Sequence, residues 1–142
     1  MEPVWRKLDQ VDIPAKPTGL WTKAINYVGP SRSLRFKAAG TWTWKDAGST
    51  TNTPRACGPD GDLEAGTVTG LLSADALPGA LIGKIGGSSA AIKNAAVFVV
   101  GAEAIVEVDD KTKGALYLSI NDAPAGFADN DGKLQVTIWE SL

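Results

Sequence analysis

The chain has 142 residues, 14 Lys and Arg against 16 Asp and Glu, a formal net charge of −2, one cysteine and no histidine. That balance provides no broad basic surface for a phosphate backbone or an anionic membrane, and the missing histidine removes the usual general base of Ser and Cys hydrolases and the commonest zinc ligand. The length suits one domain, 1–142, with enough chain to bury a core without disulfide or metal staples.

In chain order, the N-terminal stretch MEPVWRKLDQVDIPAKPTG is charged and interrupted by proline, so it lacks the apolar h-region of a secretory signal. The chain is therefore expected to start in the cytoplasm, with release to the extracellular or cell-surface environment left open. No run of 18 apolar residues suggests a membrane span. Period-two alternation then recurs in eight short segments: VWRKLDQVDI from Val4, LWTKAINYV from Leu20, SLRFKAAGTWTW from Ser33, GALIGKIG from Gly79, AVFVVG from Ala96, AIVEV from Ala104, ALYLSI from Ala115 and KLQVTIW from Lys133. Gly, Pro, Asp and Asn clusters separate them and supply the reversals. Two stretches read as loops, 45–63 and 121–132.

Eight short strands with almost no sustained helical stripe predict an all-β fold, a small antiparallel β-sandwich of jelly-roll type. Cys57, in RACGPDGD, has no second thiol at redox or zinc spacing and reads as a packing residue. Asp60, Asp62 and Glu64 read as a turn on Asp60-Gly61 with solvated neighbours. Trp42 and Trp44 share one face of their strand, where tryptophan packs in a core or stacks on a sugar ring. Trp139 falls in the outward set with Gln135 and Thr137, an exposed or subunit-facing position that suggests a homo-oligomer.

The stretch LYLSINDAPAGFADNDGKLQVTI carries the most chemistry. Leu116, Leu118 and Ile120 share one face of a strand, and Leu134, Val136 and Ile138 share one face of the next. Twelve residues lie between Ile120 and Lys133, too many for a two-residue hairpin turn, and Asp122, Asp129 and Asp131 would repel one another there. A hard divalent cation relieves that repulsion, because Ca²⁺ takes six to eight oxygens from carboxylates, amides and carbonyls. An EF-hand does not fit: with Asp129, Asp131 and Glu140 at loop positions one, three and twelve, Lys133 and Leu134 occupy positions five and six, and 133–139 reads as a strand. Composition alone leaves two readings, a polar turn or a metal shell.

The string GALYLSINDAPAGFADNDGKLQVTI, with GALIGKIG and GPDGD upstream, resembles the PA-IL-like family of calcium-dependent galactophilic bacterial lectins. The likeness spans about Trp21 to Ile138, leaving 1–20 as an N-terminal extension, and it is most specific in the last forty residues. It implies a galactose-binding-like sandwich in which one Ca²⁺ bridges protein and sugar. Asp122 would give a carboxylate, Gly126 a backbone carbonyl, Asp129 and Asn130 their side-chain oxygens, and Trp44 a further backbone carbonyl. Asp122 and Asp129 would also accept hydrogen bonds from sugar hydroxyls, with Ala123 in backbone contact.

The departures from that pattern bear on the ligand. Asp129 stands where the family usually has asparagine, which adds negative charge and removes a donor. Ala65 stands near the position of a sugar-contacting histidine, and the segment from Trp44 to Gly58 is longer than the family's. Two functions follow: a calcium-dependent binder of galactoside-like glycans, or a structural or assembly β-sandwich that keeps the fold without the sugar. An enzyme ranks third, since nothing beyond the pair Asp122 and Asp129 supports glycoside cleavage.

Overall fold

A computed structural model describes residues 4–16, 19–45, 54–65, 68, 70–88 and 97–141. The strands are β1 (Trp5–Pro14), β2 (Thr22–Val28), β3 (Ser33–Trp44), β4 (Arg55–Cys57), β5 (Leu81–Ile85), β6 (Phe98–Val99), β7 (Glu103–Glu107), β8 (Gly114–Ile120) and β9 (Asp131–Ser141), with a 3₁₀ helix at Pro124–Asp129 before β9. One antiparallel sheet runs β1-β9-β3-β4, with β7 also on β3; the other runs β2-β8-β5-β6. The expected all-β sandwich is the fold, with nine strands among the described residues. Among those residues no helix is long and apolar enough to cross a membrane.

Strand β3 organises the first sheet. All of it except the first and last residues pairs with β9, from Leu34↔Glu140 to Thr43↔Asp131. On its other edge, β7 takes 33–37 and β4 takes 42–44. β4 is the strand that the sequence pattern does not reveal, because three residues are too few to alternate. Part of the expected long loop, 46–53, lies outside the described residues, as does Ala96 at the start of the expected sixth segment.

Alternation sends Leu34 and Phe36 of β3 and Leu134, Val136 and Ile138 of β9 into the core, where all are fully buried with Leu81 of β5 and Leu116, Leu118 and Ile120 of β8. Each such side chain stabilises the fold by about 1.5–3 kcal/mol. Phe36 and Phe98 meet with ring centroids 6.0 Å apart and planes at 45°. β8 lies in one sheet and β9 in the other, and this core packs between them, so the 121–130 segment that joins them is anchored at both ends.

The remaining tryptophans divide by environment. Trp42 and Trp44 are buried, and the Trp42 indole donates to the Gly79 carbonyl at 2.7 Å. Neither ring is a sugar platform. Trp139 is half-buried, with the Arg35 guanidinium 5.3 Å from its ring centroid.

Candidate functional site at the β8–β9 junction

The junction begins with a staple. Asn121 is fully buried, and its side-chain oxygen accepts from Ser73 N–H at 2.9 Å. Its side-chain nitrogen donates to the carbonyls of Ser73, Ala76 and Leu77 at 2.9, 3.1 and 3.1 Å. Backbone bonds to Ala80 and Gly79 complete its set. Every polar atom of Asn121 thus serves the 73–80 segment, which makes it the residue that fixes where Asp122 begins.

Asp122 is 2% exposed, and its Oδ1 accepts from Ala123 N–H at 2.8 Å. The 3₁₀ helix opens at Pro124, whose ring presets the backbone angle of a first turn. Gly126 then lies against the Asp122 carboxylate: a Cβ at Gly126 would sit 3.0 Å from Oδ2 and 3.1 Å from Oδ1. Only a residue without a side chain lets helix and carboxylate approach this closely. Phe127, buried, anchors the turn in the core. Asp129 ends the helix at an exposed position, and Asn130 turns back inward at 3% exposure.

The side-chain amide of Asn130 is held from one side only. Its Nδ2 donates to the Ala15 carbonyl at 3.1 Å, while its Oδ1 is buried with no hydrogen-bond partner among the described residues. Such an acceptor costs about 1–3 kcal/mol when left alone, and so calls for a donor or a cation. The β3–β9 register ends at Thr43↔Asp131, which brings the end of β3, with Trp44 as its last residue, to the start of β9 that follows Asn130.

Asp122, Gly126 and Asn130 are therefore gathered within one loop, with Trp44 at the adjoining strand end, Asp129 at the exposed rim and Ala123 half-buried beside Asp122. Asp131 is exposed and starts β9. Among the described residues no three His, Cys, Asp or Glu side chains converge on a metal position. What the loop provides is a mixed oxygen set: two carboxylates of which one is buried, one amide oxygen without a partner, and backbone carbonyls. That set fits a hard cation such as Ca²⁺ and not zinc, which selects thiolate and imidazole.

Behind Trp44 lies a second buried acid that the sequence reading places in solvent. Asp62 is 6% exposed. Its carboxylate accepts from Arg55 Nε at 2.5 Å and Nη2 at 3.0 Å, from the Trp44 indole at 3.0 Å and from Glu64 N–H at 3.1 Å. Arg55 beside it, then these other donors, hold its pKa below the ordinary carboxylate value against the opposing effect of burial. Asp60 is also engaged, accepting from Ala102 N–H at 2.8 Å. The solvated turn is thus a clamp that ties β4, the end of β3 and the approach to Ala65 together. Its signal was the Arg55 to Asp62 spacing across RACGPDGD, one turn-forming stretch with a cation at one end and an acid at the other. Ala65 itself is half-buried and offers no side-chain donor.

The family model described as PA-IL-like protein matches residues 22–141 of this chain. The chain belongs to the PA-IL-like protein family. Eight chains of solved structures also match. One, described as the EclA N-terminal domain, a PllA-like lectin, superposes with a TM-score of 0.61 over 94% of this chain and 97% of its own, at 16% identity, a likeness of fold. No curated protein matches the sequence. In the PA-IL-like chain, β1 lies outside the 22–141 match yet pairs with β9 from Trp5 to Pro14 apart from the bulge at Leu8, so the N-terminal extension contributes an edge strand to the sheet.

Proposed function

We propose that this PA-IL-like chain is a calcium-dependent carbohydrate-binding protein whose ligand is galactose or a related sugar. The observation that carries the reading is the buried Asn130 Oδ1 without a partner, in the same loop as the buried Asp122 carboxylate and the close-packed Gly126. Asp122, Asp129 and Asn130 would hold Ca²⁺ through side-chain oxygens, with the carbonyls of Gly126 and Trp44. When bound, the ion supplies coordination positions that sugar hydroxyls fill in place of water.

The chain's own residues do the rest. Asp122 and Asp129 accept hydrogen bonds from the coordinated hydroxyls, and Ala123 lies against the ring through its backbone. Asn121 and the Asp62 clamp keep the two sides of the loop in register, so that little ordering remains to be done on binding. No bond is broken, and no acid and base pair is required. Ala65 leaves the histidine contact of the family unfilled, which favours a ligand that does not depend on it. A homo-oligomer extends the same reading, because weak single-site binding gains greatly when several sites engage one surface.

Isothermal titration with Ca²⁺ after chelation tests the ion. Saturable binding in the wild type that vanishes in the Asp122→Ala, Asp129→Ala double variant supports it, and wild-type behaviour in that variant overturns it. A glycan array with and without chelator tests the sugar. Calcium binding with no calcium-dependent glycan would instead favour the structural or assembly sandwich.

A further inference from the structure

The two strands at one side of the sandwich, β1 and β2, both lose their regular pairing at the same level. On β1, Lys7 and Asp9 pair with the consecutive residues Trp139 and Ile138, so Leu8 is an extra residue. On β2, Lys23 and Ile25 pair with the consecutive Tyr117 and Leu116, so Ala24 is extra, and a further residue is added between Ile25 and Val28. Bulges of this kind bend a strand and re-aim its side chains, and they concentrate at sheet edges and beside binding sites. Beside them lies an open, shallow groove of about 470 Å³ lined by Leu8, Asp9, Ala24, Ile25, Asn26 and Tyr27.

The lining has a definite chemistry. Leu8, Ala24 and Ile25 supply an apolar floor. Tyr27 is 60% exposed, so its ring is open to a ligand. Asp9 and Asn26 are exposed at the rim, giving a carboxylate and an amide. Asp9 Oδ1 already accepts from Gln10 N–H at 2.8 Å, but a carboxylate has about four acceptor positions, so it retains capacity for hydroxyl donors. Among the described lining residues there is no lysine or arginine; the Arg32 guanidinium lies outside the lining, near the Tyr27 ring edge at Gly29. A flat ring beside an acceptor and an amide, over an apolar floor, suits a neutral pyranose, with its carbon-bound hydrogens on the ring and its hydroxyls on the rim.

We propose that the groove between β1 and β2 is a second saccharide site, which binds a neutral pyranose without a metal ion. It lies far from the β8–β9 junction: Trp139, opposite Lys7, is eight residues along β9 from Asp131, about 27 Å at about 3.4 Å per residue. A single subunit would then carry two sites at opposite ends and could bridge two glycans without an oligomer.

The test is titration of methyl galactoside, methyl glucoside, methyl mannoside and N-acetylglucosamine into full-length protein held in chelator, followed by chemical-shift changes. Millimolar binding that perturbs Tyr27 is expected. It should weaken about tenfold in Tyr27→Ala, the loss of one stacking contact, and be kept in Tyr27→Trp and in the Asp122→Ala, Asp129→Ala variant. No response to any of the four sugars in chelator overturns the proposal, as does binding unchanged by Tyr27→Ala. Loss only in the Asp122 and Asp129 variant would place all sugar binding at the junction and also overturns it. Because the measurement excludes calcium, failure of the junction reading leaves this result standing, and the reverse holds.

Discussion

Asp62 is gripped by Arg55 through two nitrogens, at 2.5 and 3.0 Å, and returns that order to Trp44 by accepting its indole N–H at 3.0 Å. One carboxylate thus connects the strand that leaves the long loop with the strand end beside Asn130. Asp62→Ala leaves the buried Trp44 donor alone, at about 1–3 kcal/mol for such an orphan, and also removes the Asp62 carboxylate from Arg55. Arg55 is 38% exposed and regains water, so its share is small. Urea unfolding should show a loss of about 2–3 kcal/mol for Asp62→Ala and about 1 kcal/mol for Arg55→Ala. A loss below about 0.5 kcal/mol for Asp62→Ala, as for an ordinary surface position, would remove the clamp from the account.

The same pair sets an acid limit. The hydrogen bond from Arg55 is the largest of the effects that lower the Asp62 pKa, so its folded value lies below the unfolded value of about 3.9. A depressed carboxylate stabilises the fold fully above its unfolded pKa, and the contribution is lost as pH falls through the folded value. Wild type should therefore exceed Asp62→Asn in stability at pH 6, and the gap should narrow below about pH 4. A gap that stays constant from pH 6 to pH 3 would show that charge at Asp62 contributes nothing.

Gly79 and Cys57 form a second contact behind Trp44. Gly79 has φ +82°, and a Cβ there would lie 2.5 Å from Cys57 Sγ and 3.4 Å from Trp44 Cδ1. Gly79→Ala should cost about 1–3 kcal/mol for overpacking and about 1–2 kcal/mol for the left-handed backbone. Adding Cys57→Ala removes the sulfur clash but not the backbone strain, so the double variant should recover about 1–2 kcal/mol of coupling in a double-mutant cycle. Strict additivity would rule out the contact. Burial first, then the Asp62 charge, push the Cys57 thiol up to about 11, so the native protein should resist thiol reagents at pH 8 and react once unfolded.

Much of the fold is legible in the residues because alternation is local. Ser33 to Trp44 reads as one strand with both tryptophans on one side, and it forms with those bounds. Alternation does not say what covers a face. Lys84, the one charged residue of GALIGKIG, is fully buried, with its ammonium 4.8 Å from the Trp21 ring centroid and 5.3 Å from that of Tyr117, and with a bond to the Ser88 carbonyl. Burial there lowers its pKa. Asp62 is misread for the same reason: RACGPDGD holds both Arg55 and Asp62, but a carboxylate in GPDGD looks solvated until Trp44 of β3 packs against it. The junction was readable as an excess of acid and amide, but the division of labour within it was not. Asn121 and Asn130 are both amides, and only packing makes the first a staple and the second an acceptor with an open oxygen.

Gly126 separates the ion from the fold most cleanly. It is buried, and no positive φ constrains it, so alanine is compatible with its backbone. The added methyl would meet Asp122 Oδ2 at 3.0 Å and Oδ1 at 3.1 Å, closer than Cβ contacts ordinarily come. The carboxylate must then shift by a few tenths of an ångström, a small change for stability and a large one for a coordination position. Gly126→Ala is expected to lose under about 1.5 kcal/mol in chelator, within the range of mild overpacking, while weakening Ca²⁺ at least tenfold by titration, a change of about 1.4 kcal/mol. In wild type, Ca²⁺ at about a hundred times its Kd should add about 2.7 kcal/mol and raise Tm by roughly 5–10 °C; in Gly126→Ala at the same concentration that rise should fall by about half. An equal rise in both proteins would mean that the ion is not held by the Asp122 carboxylate against Gly126, and that the open oxygen of Asn130 serves another partner.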